Sequence, residues 1–247
     1  WVSGTFAIAF WTVNHLWHLG KYNLGLSSCL GGTGMCISAD IVREFGWGCD
    51  CLTEDMEFSM KCLSHGIRTC WVHDAIIYDE KPLTFMASWR QRKRWAQGQF
   101  DCSERYIPIL MKEGFKRHSI VVLDGIMQLL QNYFLLISAF YLVMTYINMF
   151  YSCFTVVLYN DALVPRQFWS VLGTIQYVLP LIVLLQIEVP AKIYLYWLIY
   201  PVFMYSWVPV TFLGWIHRHE KQWVHTIHTR SMQFQAASLT RKKEIDS

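Results

Sequence analysis

The sequence predicts an α/β domain in the first half of the chain, followed by a membrane part made of α-helices. Strand-like and helix-like segments alternate before residue 118, and charged residues are nearly absent between residues 119 and 216. Hydrophobic residues make up 54% of the 247 residues and charged residues only 16%, against roughly 25% charged in an average soluble domain. This composition excludes a disordered chain and disfavours an ordinary soluble globule. The net charge of +3 is too small to indicate nucleic-acid binding, so we expect no nucleic acid among the partners.

The elements predicted in the first half alternate between helix and strand. In chain order they are a helix over 1–19, a strand over 35–38, a helix over 39–45, a helix over 54–65, strands over 67–72 and 75–78, and a helix over 83–101. Apolar and aromatic residues dominate the first helix, and a loop rich in glycine and serine follows it. Ser38 is suited to cap the second helix, and Gly46 is suited to end it.

The third predicted helix begins with negative charge. Thr53 suits the N-cap position, and Glu54, Asp55 and Glu57 fall in the first turn, where the helix dipole favours acidic groups. Gly66 is suited to end this helix. A helix cap is the simpler interpretation of Thr53-Glu54-Asp55 taken alone. The alternative is a general base, because a carboxylate within about 3 Å of a reacting hydroxyl can take its proton.

In the last predicted helix of this half, two tryptophans flank four cations within five residues. A helix lying at the membrane surface, with a basic patch that binds anionic lipid, is one interpretation. The other is an anion clamp, because the planar guanidinium fork of arginine fits phosphate oxygens. On a helix Gln91, Arg94 and Trp95 fall on one side, while Arg92 and Lys93 point elsewhere. One face is then free for a diphosphate and another for lipid headgroups.

The stretch from residue 119 to residue 216 is nearly free of charge. Residues 119–216 contain five charged residues, which are Asp124, Asp161, Arg166, Glu188 and Lys192. A charge at the centre of a membrane helix costs about 2.5–3.5 kcal/mol, so a membrane region avoids it. Three uncharged stretches, 125–160, 167–187 and 193–216, reach the roughly 20 residues that a membrane span needs. We predict that they lie in a lipid bilayer, the alternative being buried helices of a large soluble protein.

Basic residues flank the apolar part on both sides. Lys112, Lys116 and Arg117 precede it, and Arg218 and Lys221 follow it, which predicts that both flanks are cytoplasmic. This orientation requires an even number of crossings, whereas three apolar runs are found. Either the first run holds a hairpin or one run does not cross, and the sequence leaves both possibilities open.

Three motifs, in order, give the chain a resemblance to a known family. They are a glycine-rich loop at Gly31–Met35, the TED triplet that ends at Asp55, and a QxxRW motif that begins 36 residues later at Gln91. A softer feature is a W-x-x-T-x-H segment after the last apolar run, formed by Trp223, Thr226 and His228. With these motifs the chain resembles the membrane-integrated, processive family-2 glycosyltransferases, which include cellulose, chitin, hyaluronan and poly-N-acetylglucosamine synthases.

The resemblance implies an inverting transfer of a sugar from a UDP-sugar donor to a growing polysaccharide acceptor. Asp55, beside Glu54, would be the catalytic base. The resemblance further implies that Gln91, Arg94 and Trp95 line the site, with Arg94 on the nucleotide diphosphate and Trp95 supporting the acceptor sugar. It places the acceptor at a loop formed by Gly32, Thr33 and Gly34. The tail residues Trp223, Thr226 and His228 would gate the site.

The resemblance also implies how the chain is divided. Residues 1–83 would be the C-terminal part of a GT-A glycosyltransferase domain, 84–118 interfacial amphipathic helices, 119–216 transmembrane helices and 217–247 a cytoplasmic tail. The protein would be a multi-pass protein of the plasma membrane, with its catalytic part in the cytoplasm.

The resemblance implies Mg²⁺ or Mn²⁺ beside the diphosphate, but we assign no metal ligand to this chain. The motif that would bind the ion belongs to an upstream stretch that this sequence does not contain. We therefore expect the chain to be inactive on its own.

Two other functions are compatible with parts of the sequence. A non-processive glycosyltransferase acting on a membrane lipid acceptor would share the catalytic triplet. A transporter or a non-catalytic membrane scaffold would explain the apolar runs and the basic helix. It gives no reason for the three motifs in series.

Overall fold

The computed structural model describes residues 1–150 and 166–220. Within these residues the chain forms nine α-helices and one short π-helical segment. The helices are α1 (Val2–Thr12), α2 (Leu19–Asn23), α3 (Ala39–Phe45), α4 (Glu54–Ser64), α5 (Phe85–Lys116), α6 (Ile120–Phe150), α7 (Arg166–Gln186), α8 (Lys192–Tyr205) and α9 (Trp207–Ile216). The π-helical segment, Val13–His18, joins α1 to α2.

Helices α3 and α4 lie where the sequence predicts them. Helix α3 follows Ser38 and ends at Gly46, whose φ of +67° suits glycine. Helix α4 follows Thr53, although neither Ser38 nor Thr53 makes a capping hydrogen bond through its side chain. Gly66, with φ of +84°, lies two residues beyond the end of α4.

The predicted strands are not confirmed. The segments 35–38, 67–72 and 75–78 contain no β-strand, and neither does any other part of the described chain. A strand needs a ladder of backbone hydrogen bonds with a neighbour. The extended segments around residues 28 and 69 share one such bond, from the Ser28 N–H to the Thr69 carbonyl at 3.0 Å. The α/β character expected from the sequence therefore has no support in the described residues, which are mostly helical.

Helix α5 is longer than predicted and connects two apolar cores. It continues for 15 residues beyond the predicted end, through Pro108, and reaches Lys116. One core lies among α1, α7 and α8 and includes Phe6, Leu184 and Phe203. The other lies among α4, α5 and α6 and includes Leu63, Leu110 and Leu129. Burial along one face of α5 holds the helix together despite the hydrogen bond that Pro108 removes.

Within residues 1–150 and 166–220, two stretches are long and apolar enough to cross a membrane by length and composition. They are Ile120–Met144 in α6 and Lys192–Ile216 across α8 and α9. Helix α7 contributes a shorter apolar stretch, Val171–Gln186. The helix axis is interrupted at Ser206, three residues before Pro209, which has no N–H to bond the Tyr205 carbonyl. The end of the predicted run 125–160 lies outside the described residues.

Candidate functional site

Asp55 lies in the first turn of α4 with its carboxylate half-buried. Its Oδ1 accepts a hydrogen bond from the Met56 N–H at 2.7 Å. Burial raises the pKa of the Asp55 carboxyl, and the negative charge of Glu54 adds to the rise. The Met56 N–H and the positive charge of Arg94 act in the opposite direction. The net result is a raised pKa, which makes this carboxylate a stronger base than an exposed aspartate.

The glycine loop passes directly beside this carboxylate. A Cβ atom added at Gly32 would lie 3.5 Å from Asp55 Oδ2. Gly34 has a φ of +70°, and a Cβ there would lie 2.5 Å from Ile77 Cγ1, so only glycine fits. Thr33, between them, is exposed. The loop therefore presents exposed backbone next to a half-buried acid.

Helix α5 brings Arg94 to the same place. A Cβ at Gly98 would lie 2.6 Å from Thr53 Oγ1, so glycine allows α5 to pack closely against the start of α4. Arg94 Nη1 donates to the Leu52 carbonyl at 3.1 Å. Arg94 Nε and Gln91 Oε1 are buried and have no partner among the described residues. Buried polar atoms without a partner are costly, and a ligand with polar groups can satisfy them.

Trp95 lies in an aromatic cluster on the side of α5 that faces α1 and α9. Its ring centroid is 6.1 Å from that of Phe6, 6.2 Å from that of Phe10 and 6.4 Å from that of Trp207. It is only partly buried there. The QxxRW motif is thus divided: Arg94 is next to the start of α4, and Trp95 packs against α1 and α9.

The sequence interpretation of Arg92 as a residue free to touch lipid headgroups is wrong. Arg92 has no exposed surface. Its Nη1 donates to Ser206 Oγ at 2.7 Å, and its guanidinium lies 4.6 Å from the ring centroid of Phe203 and 5.2 Å from that of Trp207. Helical spacing alone shows that Arg92 and Arg94 diverge. It does not show that the break between α8 and α9 covers Arg92.

Glu57 is a buried acid whose role the sequence did not reveal. Its Oε2 accepts hydrogen bonds from the N–H groups of Asp50 and Cys51, both at 2.7 Å. Its Oε1 lies 3.6 Å from Arg105 Nη1. Glu57 therefore fixes the loop that leads into Thr53. The sequence shows Glu57 only as a further acidic residue at the start of a helix. Its contacts with the preceding loop form only in the folded chain.

The start of the C-terminal tail lies along α5. Gln97 Nε2 donates to the His217 carbonyl at 2.8 Å, and Arg218 Nε donates to Glu104 Oε1 at 2.6 Å. The predicted gating residues Trp223, Thr226 and His228 lie outside the described residues.

The described residues do not fit a divalent ion. Within 1–150 and 166–220, no group of three or more His, Cys, Asp or Glu side chains is arranged to hold a metal. Asp55 and Glu54 are neighbouring carboxylates at one helix start, and no third His, Cys, Asp or Glu side chain of the described residues joins them in a metal-binding group. We therefore derive no chemical step that passes through a metal.

Comparisons with known proteins agree with the motifs. Residues 2–216 match the family model described as "Glycosyl transferase family group 2". A segment of 80 residues is 30% identical to the "Probable glycosyltransferase YdaM" of Bacillus subtilis (strain 168), and the match covers 32% of this chain and 19% of that protein. No solved structure matches the chain. A family match over most of the chain is decisive, and the protein belongs to glycosyl transferase family group 2, a family of transferase enzymes.

Proposed function

We propose that this protein is an inverting, processive glycosyltransferase that transfers a sugar from a UDP-sugar to a growing polysaccharide and passes the product through a membrane. One observation carries the proposal. The Asp55 carboxylate lies against the backbone of Gly32 and close enough to Arg94 for that cation to lower the carboxyl pKa. A carboxylate, an exposed glycine loop and a cation therefore lie near the start of α4, and they are the kinds of group that a base, an acceptor site and an anion-binding site require.

In the proposed reaction, Asp55 acts as the general base. Its carboxylate takes the proton from an acceptor hydroxyl, and the hydroxyl oxygen attacks the anomeric carbon of the donor. The bond from that carbon to the diphosphate oxygen breaks, which inverts the anomeric configuration. A carboxyl pKa raised by burial brings the base closer to the operating pH, where general base catalysis is most effective.

Arg94 would receive the departing nucleoside diphosphate, and Gln91 would line the same site. The diphosphate gains negative charge as its bond to the sugar breaks, and a fixed cation stabilises that charge. Arg94 Nε is buried and unpartnered among the described residues, so it has a donor free for a phosphate oxygen. Trp95 would support the acceptor sugar from the aromatic cluster beside α9.

The polymer and membrane parts of the proposal have separate support. The QxxRW motif of α5 is followed by two stretches long and apolar enough to cross a bilayer. The Lys and Arg residues on their flanks favour a cytoplasmic catalytic part. We divide the chain accordingly into 1–83 in the transferase domain, 84–118 at the membrane interface, 119–216 in the membrane and 217–247 in a cytoplasmic tail.

The proposal is tested on the full-length protein in membranes. UDP-glucose, UDP-N-acetylglucosamine, UDP-galactose and UDP-glucuronic acid are supplied in turn, and UDP release and product length are measured. We expect polymer from at least one donor, and a product carrying a single sugar on a lipid would contradict the polymerase assignment.

Replacing the base separates catalysis from donor binding. We expect Asp55→Asn to lower turnover by about 10²–10⁴-fold, the usual contribution of a general base, with the Kd for UDP nearly unchanged. The matched control is Asp40→Asn, on exposed α3, whose carboxylate pairs only with Arg43 at the surface. Turnover by Asp55→Asn equal to that of the control would remove the catalytic role from this residue.

A further inference from the structure

We propose that Ser59 is a positioning residue that holds the glycine loop beside Asp55 and thereby sets how well the acceptor sugar is bound. This inference rests on the proposed function, because it concerns the acceptor side of that reaction.

Ser59 joins the catalytic helix to the loop through one hydroxyl group. The side chain is 1% exposed. Its Oγ donates to the Asp55 carbonyl at 2.7 Å and accepts from the Leu30 N–H at 2.8 Å. A hydroxyl can donate and accept at the same time. The Ser59 side chain therefore connects the backbone of Asp55 to that of Leu30, which immediately precedes the glycine loop and lies 25 residues before Asp55 in the chain.

The anchor at Leu30 limits where Gly32 can lie. Two residues of extended chain span at most about 7 Å, so Gly32 stays within that distance of the position at which the bond to Ser59 holds Leu30. Gly32 is the residue whose Cβ position lies 3.5 Å from Asp55 Oδ2. Before Leu30, the loop is held by the hydrogen bond from the Ser28 N–H to Thr69. After Leu30, residues 31–34 are exposed. The hydrogen bond from Leu30 to Ser59 therefore lies where the hydrogen-bonded part of the segment ends and the exposed glycine loop begins.

Removing the hydroxyl affects the loop more than the helix. Within α4, the Ser59 hydroxyl bonds a carbonyl one turn earlier, in addition to the backbone ladder of the helix. Alanine is a better helix former than serine, so α4 remains intact. The Leu30 N–H, in contrast, loses its partner in a part-buried position, and the loop relaxes to find another one. We therefore expect an acceptor defect with the donor site unaffected.

The test compares three variants of the full-length protein in membranes, supplied with the UDP-sugar selected by the donor screen. They are Ser59→Ala, Ser59→Thr and Ser64→Ala. Ser64 is the matched control, because it is a serine of the same helix whose Oγ donates to the Lys61 carbonyl. Three quantities are measured: the rate of sugar transfer, the amount of sugar transferred per UDP released, and the Kd for UDP.

We expect Ser59→Ala to transfer sugar about tenfold more slowly, as the loss of one hydrogen bond near 1.4 kcal/mol implies. A larger share of the UDP released should come from attack by water, which takes the place of the acceptor hydroxyl. The Kd for UDP should change less than about twofold. Ser59→Thr keeps the hydroxyl and should restore most of the transfer, and Ser64→Ala should match the wild type.

Transfer by Ser59→Ala equal to that of the wild type would overturn the inference alone, and so would a loss of UDP binding as large as the loss of transfer. A Ser59→Thr variant as defective as the alanine variant would also overturn it, since the hydroxyl would then not be the cause. A wild-type protein that transfers no sugar from any of the four donors overturns the proposed function itself, and this inference with it.

Discussion

At the scale of single residues, the chemistry depends on opposing influences on Asp55. Burial and the neighbouring charge of Glu54 favour the protonated carboxyl, whereas the Met56 N–H and Arg94 favour the carboxylate. Glu54 and Arg94 lie on different helices and act on the same group with opposite sign. The two residues can therefore be used to shift the pKa of the base in either direction.

The pH dependence of kcat/KM tests this arrangement. Asp55 must be deprotonated to act as a base, so activity should fall on the acid side, at a pH above that expected for an exposed aspartate. Arg94→Gln removes a cation that lowers the Asp55 pKa, so the acid limb should move to higher pH. Glu54→Gln removes an anion that raises the pKa, so the limb should move to lower pH.

The profiles are measured on the full-length enzyme and normalised to their maxima, since both variants will also change the rate. Asp40→Asn, on the exposed surface of α3, serves as the control and should leave the limb in place. Shifts of the same sign in the two variants would contradict the assignment of Asp55 as the titrating base.

At the scale of secondary-structure elements, helix α5 packs against the interruption between α8 and α9. Arg92 occupies the centre of this contact. Its Nη2 has no partner among the described residues, and burial lowers its pKa to about 10, so it remains charged at neutral pH. Its neighbours are a hydroxyl and aromatic rings. This is a buried cation held by hydrogen bonds and ring faces, an environment that suits arginine better than lysine.

We expect Arg92→Lys to be more destabilising than Arg92→Met. Lysine keeps the buried charge but lacks the planar guanidinium group. It therefore loses a charged hydrogen bond worth about 2–3 kcal/mol. Methionine removes the buried charge, and Ser206 Oγ can still donate to the Phe203 carbonyl, which it already does at 2.6 Å. Replacement of a buried charge by an apolar side chain is often close to neutral. The measurement is the midpoint of thermal unfolding in detergent.

The control for this comparison is Arg90→Lys, a change of the same type at the exposed position just before the QxxRW motif. It should leave the midpoint within experimental scatter. A methionine variant less stable than the lysine variant would show that the charge of Arg92, rather than its shape, stabilises the contact.

At the scale of the whole molecule, one ion pair joins the N-terminal helices to the apolar part. Lys21 Nζ lies 2.7 Å from Asp124 Oδ2, and the two side chains are 5% and 18% exposed. The ammonium group also donates to Gln128 Oε1 at 3.2 Å and lies 5.0 Å from the ring centroid of Trp17. The pair connects the start of the chain to the beginning of α6, more than 100 residues away.

A double-mutant cycle measures this connection. Lys21→Met leaves the Asp124 carboxylate without its cation, and Asp124→Asn leaves the Lys21 ammonium without its anion, so each single variant should lower the unfolding midpoint. The double variant should lose less than the sum, with a coupling energy of about 1–3 kcal/mol. Lys61→Met is the control, because Lys61 Nζ donates to the Gly46 carbonyl at 3.1 Å in an exposed position. Additive losses would mean that the pair contributes nothing beyond its separate contacts.

The sequence alone determined the features that depend on neighbouring residues. The bounds of α3 and the start of α4 follow from cap residues, acidic first turns and glycines within a few positions of each other. The apolar stretches of α6 and of α8 with α9 follow from composition. The order of the three motifs was enough to indicate the family to which the chain belongs. The sequence predicts such properties because helix formation and hydrophobicity depend on residues that are close together in the chain.

Only the tertiary structure decided which distant groups meet. Three hydrogen bonds join residues far apart in the chain. Arg92 bonds to Ser206 where it is buried, Arg94 bonds to the Leu52 carbonyl while Trp95 lies on another face of α5, and the Leu30 N–H bonds to Ser59. The expected strands are absent from the described residues for the same reason, since a strand exists only when a neighbouring strand supplies its hydrogen bonds. A side chain shows what it can bind, but packing decides which partner lies within reach.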